Sequence, residues 1–140
     1  MDSKANARWV GGLKEGEGHV ATESGVLDAD YSFKQRFEGA PGTNPEELIG
    51  AAHASCFSMA LSMILGEKGY TADEIETDAR VTLSQSAGGF DISSIHLEVS
   101  ASVSGADEAD FLEAAETAKV NCPVSKVLNA EITMTAKLKD

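Results

Sequence analysis

The chain has 140 residues, enough for one domain or for one half of an intertwined dimer. Eleven Lys and Arg stand against 23 Asp and Glu, a formal charge of −12, and that acidity disfavours nucleic acid and anionic membrane surfaces, which need clustered positive charge. Two cysteines are too few for a secreted disulfide scaffold, and the opening MDSKANARW has no apolar stretch of the kind that directs secretion, so a cytoplasmic location is expected.

The first third reads as strands. Ala5, Ala7 and Trp9 alternate with Lys4, Asn6 and Arg8; the glycines of GLKEGEG make a turn, and a second short strand follows near HVATES. A third strand is predicted over residues 31–37, with Tyr31, Phe33 and Phe37 on one face and Ser32, Lys34 and Arg36 on the wet one. EGAPGTNPEE then announces a helix: Asn44 suits the N-cap, Pro45 the first helical position, and Glu47 completes a capping pattern.

The run LIGAAHASCFSMALSMIL, residues 48–65, has no charge and approaches the length of a membrane span. It is rich in Gly, Ala and Ser, contains His53, follows Glu46 and Glu47, and lacks a flanking basic cluster. A buried helix of a soluble protein is the expected reading, and a helix apolar on all sides must be covered on all sides.

Two clear strands follow. Ile75, Thr77, Ala79, Val81 and Leu83 share one face; after a turn at SAGG, Ile95, Leu97, Val99, Ala101 and Val103 repeat the pattern, as in an antiparallel sheet with one covered face. A second helix starts near Asp107 with an apolar stripe of Phe111, Ala115, Ala118 and Cys122, and Pro123 closes it or begins a new short turn. The last strand turns Ile132, Met134, Ala136 and Leu138 inward. The order βββ-α-ββ-α-β is an α+β plan.

Chemistry centres on the cysteines. Cys56 lies inside the long apolar helix and Cys122 ends the second helix's stripe. Buried cysteines commonly serve as small apolar fillers, but two placed where helices would cross could meet. Peroxide reduction needs a thiolate, access for the oxidant, and a second thiol to capture the sulfenic acid. An ordinary thiol titrates near roughly 8.5, and Cys56 sits too deep in its helix for the N-terminal dipole to help, so a cation is required. Arg36 is a candidate, with a solvated strand arginine as the plainer alternative. Glu46 or Glu47 could aim its guanidinium, although acids in a first turn also cap the helix.

The stretch GTNPEELIGAAHASCFSMALSMILGEKGY resembles the central motif of the OsmC (osmotically inducible protein) family and its Ohr relatives, and NCPVSKVLNAEI resembles that family's second cysteine motif. The likeness extends through RWVGGLKEGEGHVATESGVL and FKQRFEGAPGTNPEE, and so over nearly the whole chain. TESG, RFEG and His53 three residues before Cys56 favour the OsmC branch. The resemblance implies one OsmC-like domain over residues 1–140, with strands of residues 1–40 contributing to an intertwined homodimer whose two central helices are wrapped by antiparallel sheets. It implies a thiol-dependent peroxidase acting on organic hydroperoxides, recycled by a thiol or lipoyl-bearing reductant, without a cofactor or a resident metal. By motif, Cys56 matches the peroxidatic cysteine, Cys122 the resolving cysteine, Glu46 the glutamate of NPE and Arg36 the arginine of RFEG.

Glu46 and Cys56 are ten residues apart, about 15 Å of rise in a continuous helix. One arginine head can hardly touch both. Either the helix breaks near Gly50, or Glu46 acts beside the Cys56 of a partner chain across a twofold axis. Phe37, Phe57, Met59, Val127 and Leu128 are candidates to line an alkyl-peroxide site, each with plain core as its alternative. The competing function is a metal-binding or redox-sensing dimer using His53, Cys56 and Cys122, or a dimer in which the cysteines only pack. His19 and His96 fall at wet strand positions.

Overall fold

The structure, a computed structural model, describes residues 1–139, and the chain divides into two compact units, Met1–Leu48 and Ile49–Asp140. In the first, strands β1 (Ala5–Val10), β2 (Glu17–Thr22) and β3 (Asp28–Tyr31) form an antiparallel sheet in that order. Gly18, on the central strand, pairs with Trp9 on one side and Tyr31 on the other. A Cβ there would lie 2.6 Å from the Tyr31 ring and 2.7 Å from that of Trp9. The two rings close over the bare backbone with centroids 5.7 Å apart, which is why this strand position holds glycine.

The third strand is shorter than its alternation predicted. It ends at Tyr31, and Phe33–Phe37 form a short helix, α1. Phe33 and Phe37 stand four apart, a helical spacing as well as a strand spacing, and their rings pack at 4.8 Å. Ser32 Oγ donates to Gln35 Oε1 across the first turn. Arg36 is therefore a helical residue, its guanidinium carbon 5.6 Å from the centre of the Phe37 ring.

Helix α2 (Pro45–Glu67) begins as its capping residues predicted: Asn44 Oδ1 accepts from the Glu47 backbone N–H at 2.8 Å, and Pro45 fills the first position. It runs unbroken through Gly50, so the alternative of a break there is withdrawn. A Cβ on Gly50 would sit only 3.4 Å from Val81, so its absence lets α2 approach the sheet of the second unit closely.

In that second unit β4 (Ala72–Ser86) and β5 (Gly89–Val103) form a long antiparallel hairpin. The chain then passes through α3 (Glu108–Asn121) and α4 (Pro123–Val127) before β6 (Glu131–Lys139) joins β5 in parallel. The α+β class holds, but this sheet is mixed rather than wholly antiparallel. Side-chain alternation does not encode strand direction, whereas a helical crossover delivers a parallel neighbour. Phe57, Leu61 and Leu65 of α2, Ile95 and Leu97 of β5 and Phe111 of α3 are fully buried and make the core. By length and composition α2 could cross a bilayer, with a mean hydropathy of 1.7; here one face of it carries the core, while Met59 and Met63 on another are 76% and 62% exposed.

Candidate active site

The second thiol is placed by a helix junction. Cys122 closes α3, its N–H bonding the Ala118 carbonyl at 2.9 Å, and opens α4 as N-cap. The first N–H groups of any helix lack partners within it. Pro123 removes one of them, leaving Val124 and Ser125 as donors in the first turn of α4. The Ser125 N–H meets Cys122 Sγ at 3.4 Å, and the Val124 N–H donates to the sulfur of Cys56. The Cys122 thiol also lies near enough to Cys56 to raise its pKa. The two sulfurs, 66 positions apart in sequence, are thus neighbours at one short turn. Both are reduced; Cys56 is half-buried and Cys122 fully buried.

Burial is the largest influence on the Cys56 thiol and pushes its pKa up from the ordinary value; the Val124 N–H pulls it down, and the hydrogen bond and charge of Cys122 add to the rise. Within this unit the thiol is held in the neutral form, so forming a thiolate calls for a cation.

In the first unit, Arg36 Nε donates to Glu46 Oε1 at 2.8 Å. Between the two acids left open by position in the helix, the arginine selects Glu46, which is buried, over the exposed Glu47. Glu46 Oε2 is also buried and has no partner.

His53, named above as a mark of the OsmC branch and as a candidate metal ligand, is fully buried, and its Nε2 lies 2.7 Å from Ser125 Oγ. Ser125 Oγ in turn lies 3.4 Å from Cys122 Sγ. Burial lowers the His53 pKa, so the ring is neutral near pH 7. Ser125 was quoted within a motif but given no role. Its place three residues after Cys122, in a turn that follows a proline, was the available signal; its partner, 72 positions away, was not visible. Among the described residues no group of three or more His, Cys, Asp or Glu side chains is arranged to hold a metal ion, and Nε2 of His53 faces a hydroxyl, so the metal alternative lacks a donor set. Of the candidate lining residues, Phe57 is plain core, Met59 is exposed, and Val127 and Leu128 border a surface hollow with Ile92 and Asn129. His19 and His96 pair with Asp28, Asp30 and Glu98 at the strand surface.

Comparison with known proteins identifies the family. The family model described as OsmC-like protein matches residues 37–137. The chain is 53% identical to Peroxiredoxin OsmC of Escherichia coli (strain K12), over 99% of this chain and 98% of that one. It is 32% identical to the organic hydroperoxide resistance protein OhrB of Bacillus subtilis (strain 168), over 87% of this chain and 89% of that one. The crystal structure of the B. subtilis OhrB superposes with a TM-score of 0.73 at 30% identity, covering 99% of this chain and 98% of the other. An OsmC-like protein of unknown function from Vibrio cholerae shares the fold, with a TM-score of 0.77 over 98% and 99% of the two chains, at 16% identity. The higher identity to OsmC than to OhrB agrees with the TESG and RFEG segments, and the two converging thiols stand in the matched region: the chain belongs to the OsmC-like protein family.

Proposed function

We propose that this protein is a thiol-dependent peroxidase that reduces organic hydroperoxides to alcohols, with Cys56 as the attacking sulfur and Cys122 as the resolving one. The observation that carries this reading is the meeting of the two thiols at the first turn of α4. Relatives named for peroxiredoxin activity and for organic hydroperoxide resistance support it. The Cys56 thiolate attacks the distal peroxide oxygen and an alcohol leaves. Cys122 attacks the resulting sulfenic acid, water leaves, and a disulfide forms. An external thiol or lipoyl-bearing dithiol returns both sulfurs to the reduced state.

Because the Cys56 thiol is raised by its own surroundings, the first step needs positive charge at the sulfur. Arg36, aimed by Glu46, supplies it and stabilises the departing alkoxide. Ten helical positions separate Glu46 from Cys56 on an unbroken α2, so in this reading the pair serves the Cys56 of a second copy. The protein then works as a soluble, cytoplasmic homodimer, each chain a single OsmC-like domain. An exposed stripe on α2, Ala52, Ser55, Met59 and Met63, supports a covering partner.

The test is variant turnover. Cys56→Ser abolishes hydroperoxide consumption with folding intact. Cys122→Ser permits one turnover and then stops. Undiminished steady turnover in Cys56→Ser would reject the assignment.

A further inference from the structure

The chemistry above gives no work to two buried groups that lead to the resolving thiol: His53 Nε2, 2.7 Å from Ser125 Oγ, and Ser125 Oγ, 3.4 Å from Cys122 Sγ. We infer that His53 and Ser125 form a proton relay for the resolving thiol, with Ser125 Oγ accepting the proton of Cys122 while the Ser125 hydroxyl proton passes to His53 Nε2. The inference rests on the peroxidase reading and adds a second step that this reading leaves undriven.

Resolution needs this help. The attacking species in sulfur exchange is the thiolate, so the Cys122 proton must leave as its sulfur attacks, and Cys122 is fully buried, out of reach of bulk water as the acceptor. The first-turn N–H of Ser125 bonds that sulfur at 3.4 Å, but an N–H can steady a thiolate and cannot remove its proton. A neutral imidazole can. His53 Nε2 faces the only hydroxyl that touches Cys122 among the described residues, and in the tautomer protonated at Nδ1 it accepts from that hydroxyl.

The other ring nitrogen argues against a purely structural bond. His53 Nδ1 is buried and has no partner among the described residues. Buried polar atoms are nearly always paired, and an exception asks for an explanation. With Nδ1 unheld, no partner locks the ring in one tautomer, and burial disfavours the charged imidazolium. A proton taken up on Nε2 is therefore returned quickly, as a relay requires.

The step balances. Cys122 Sγ forms a bond to Cys56 Sγ, and the S–O bond of the Cys56 sulfenic acid breaks. The proton lost by Cys122 moves to Ser125 and the Ser125 proton to His53. The departing hydroxide takes up one proton, restoring neutral His53, so two thiol-derived groups give one disulfide and one water. Cys56 is reduced from sulfenic acid and Cys122 oxidised from thiol. His53 acts on the reacting sulfur only through Ser125.

The test compares closure of the disulfide with the first oxidation in one experiment. Reduced wild-type, Ser125→Ala, Ser125→Thr and His53→Gln proteins are mixed with one equivalent of tert-butyl hydroperoxide. Hydroperoxide loss reports the first step, and acid-quenched thiol counting reports closure. In Ser125→Ala and His53→Gln, closure slows relative to the first step by on the order of 100-fold, and dimedone traps the Cys56 sulfenic acid. Gln can still bond Ser125 but cannot take a proton, so a structural role would survive in His53→Gln. Ser125→Thr keeps the hydroxyl and restores the ratio, which guards against a folding defect in the alanine variant. A second arm closes the disulfide with diamide, an oxidant that needs no peroxidase activity, and the same variants are slowed there. Closure in Ser125→Ala and His53→Gln at the wild-type ratio overturns the relay, as does a wild-type protein that closes no disulfide with either oxidant. Wild-type closure with diamide but no hydroperoxide loss would remove the peroxidase reading and leave the relay to be judged on the diamide rates.

Discussion

The two units of this chain differ in what they bury. Every fully buried apolar side chain lies in the second unit, from Phe57 onward, whereas in the first only Gly16, Gly18 and Glu46 are buried. The second unit is a conventional core that carries two sulfurs at a helix junction. The first is a thin three-stranded sheet with no apolar interior of its own, tied by an aromatic pair and by charged groups. A three-stranded sheet needs a hydrophobic face or a packed helix to be independently stable, and this one buries no apolar side chain of its own. The contrast teaches that the proposed redox pair is built on the unit with a packed apolar core, while the arginine and glutamate proposed to activate it belong to the unit that buries no apolar side chain.

The comparison can be broken most severely in the core. Phe57→Ala should destabilise the protein by about 3–5 kcal/mol in chemical denaturation, because a fully buried ring leaves a cavity; a loss below about 1 kcal/mol would mean that the second unit is not the core described. Next comes Arg36→Ala, where the bimolecular rate of the folded protein with tert-butyl hydroperoxide should drop on the order of 100-fold, while the denaturation midpoint also falls because the buried Glu46 carboxylate loses its partner. An unchanged rate would remove the guanidinium from the chemistry. Trp9→Ala should cost about 1 kcal/mol from the lost ring pair with Tyr31. A loss comparable to that of Phe57→Ala would sharpen the contrast, showing that a partner surface covers the sheet.

The smallest effect is a pH dependence at His19. Hydrogen bonds to Asp30 and then Asp28 raise its pKa above the ordinary 6.5. A raised pKa in the folded state stabilises the protein below the unfolded value, and the contribution is lost as pH rises through the folded value. His19→Gln should therefore lower the melting temperature slightly near pH 5 and not at all near pH 9, and the reverse pattern would contradict the ion pairs at β2 and β3.

Much of this was legible in the chain. Asn44 and Pro45 mark the start of α2 because capping is local chemistry, and the alternation in β4 and β5 survives because one face of each is covered. Residues 33–37 misled because Phe33 and Phe37 satisfy both the strand and the helix spacing, and a five-residue segment is too short to decide between them. The parallel entry of β6 was hidden, since direction is set by the crossover rather than by the strand itself. At the site, each cysteine could be singled out by residue type and place. The choice of Glu46 over Glu47 came from a motif, and the Arg36–Glu46 ion pair agrees with it. The His53–Ser125 bond was beyond reach, because two unremarkable polar residues become a pair only when α2 and α4 pack.

The central claim is that one hydroperoxide draws both sulfurs into a single bond. Reduced protein titrated with tert-butyl hydroperoxide, followed by thiol counting and non-reducing peptide mapping, measures it directly. The account predicts two thiols lost per hydroperoxide and an intramolecular Cys56–Cys122 disulfide. Loss of one thiol, with Cys122 still reduced after Cys56 has been oxidised, would contradict it.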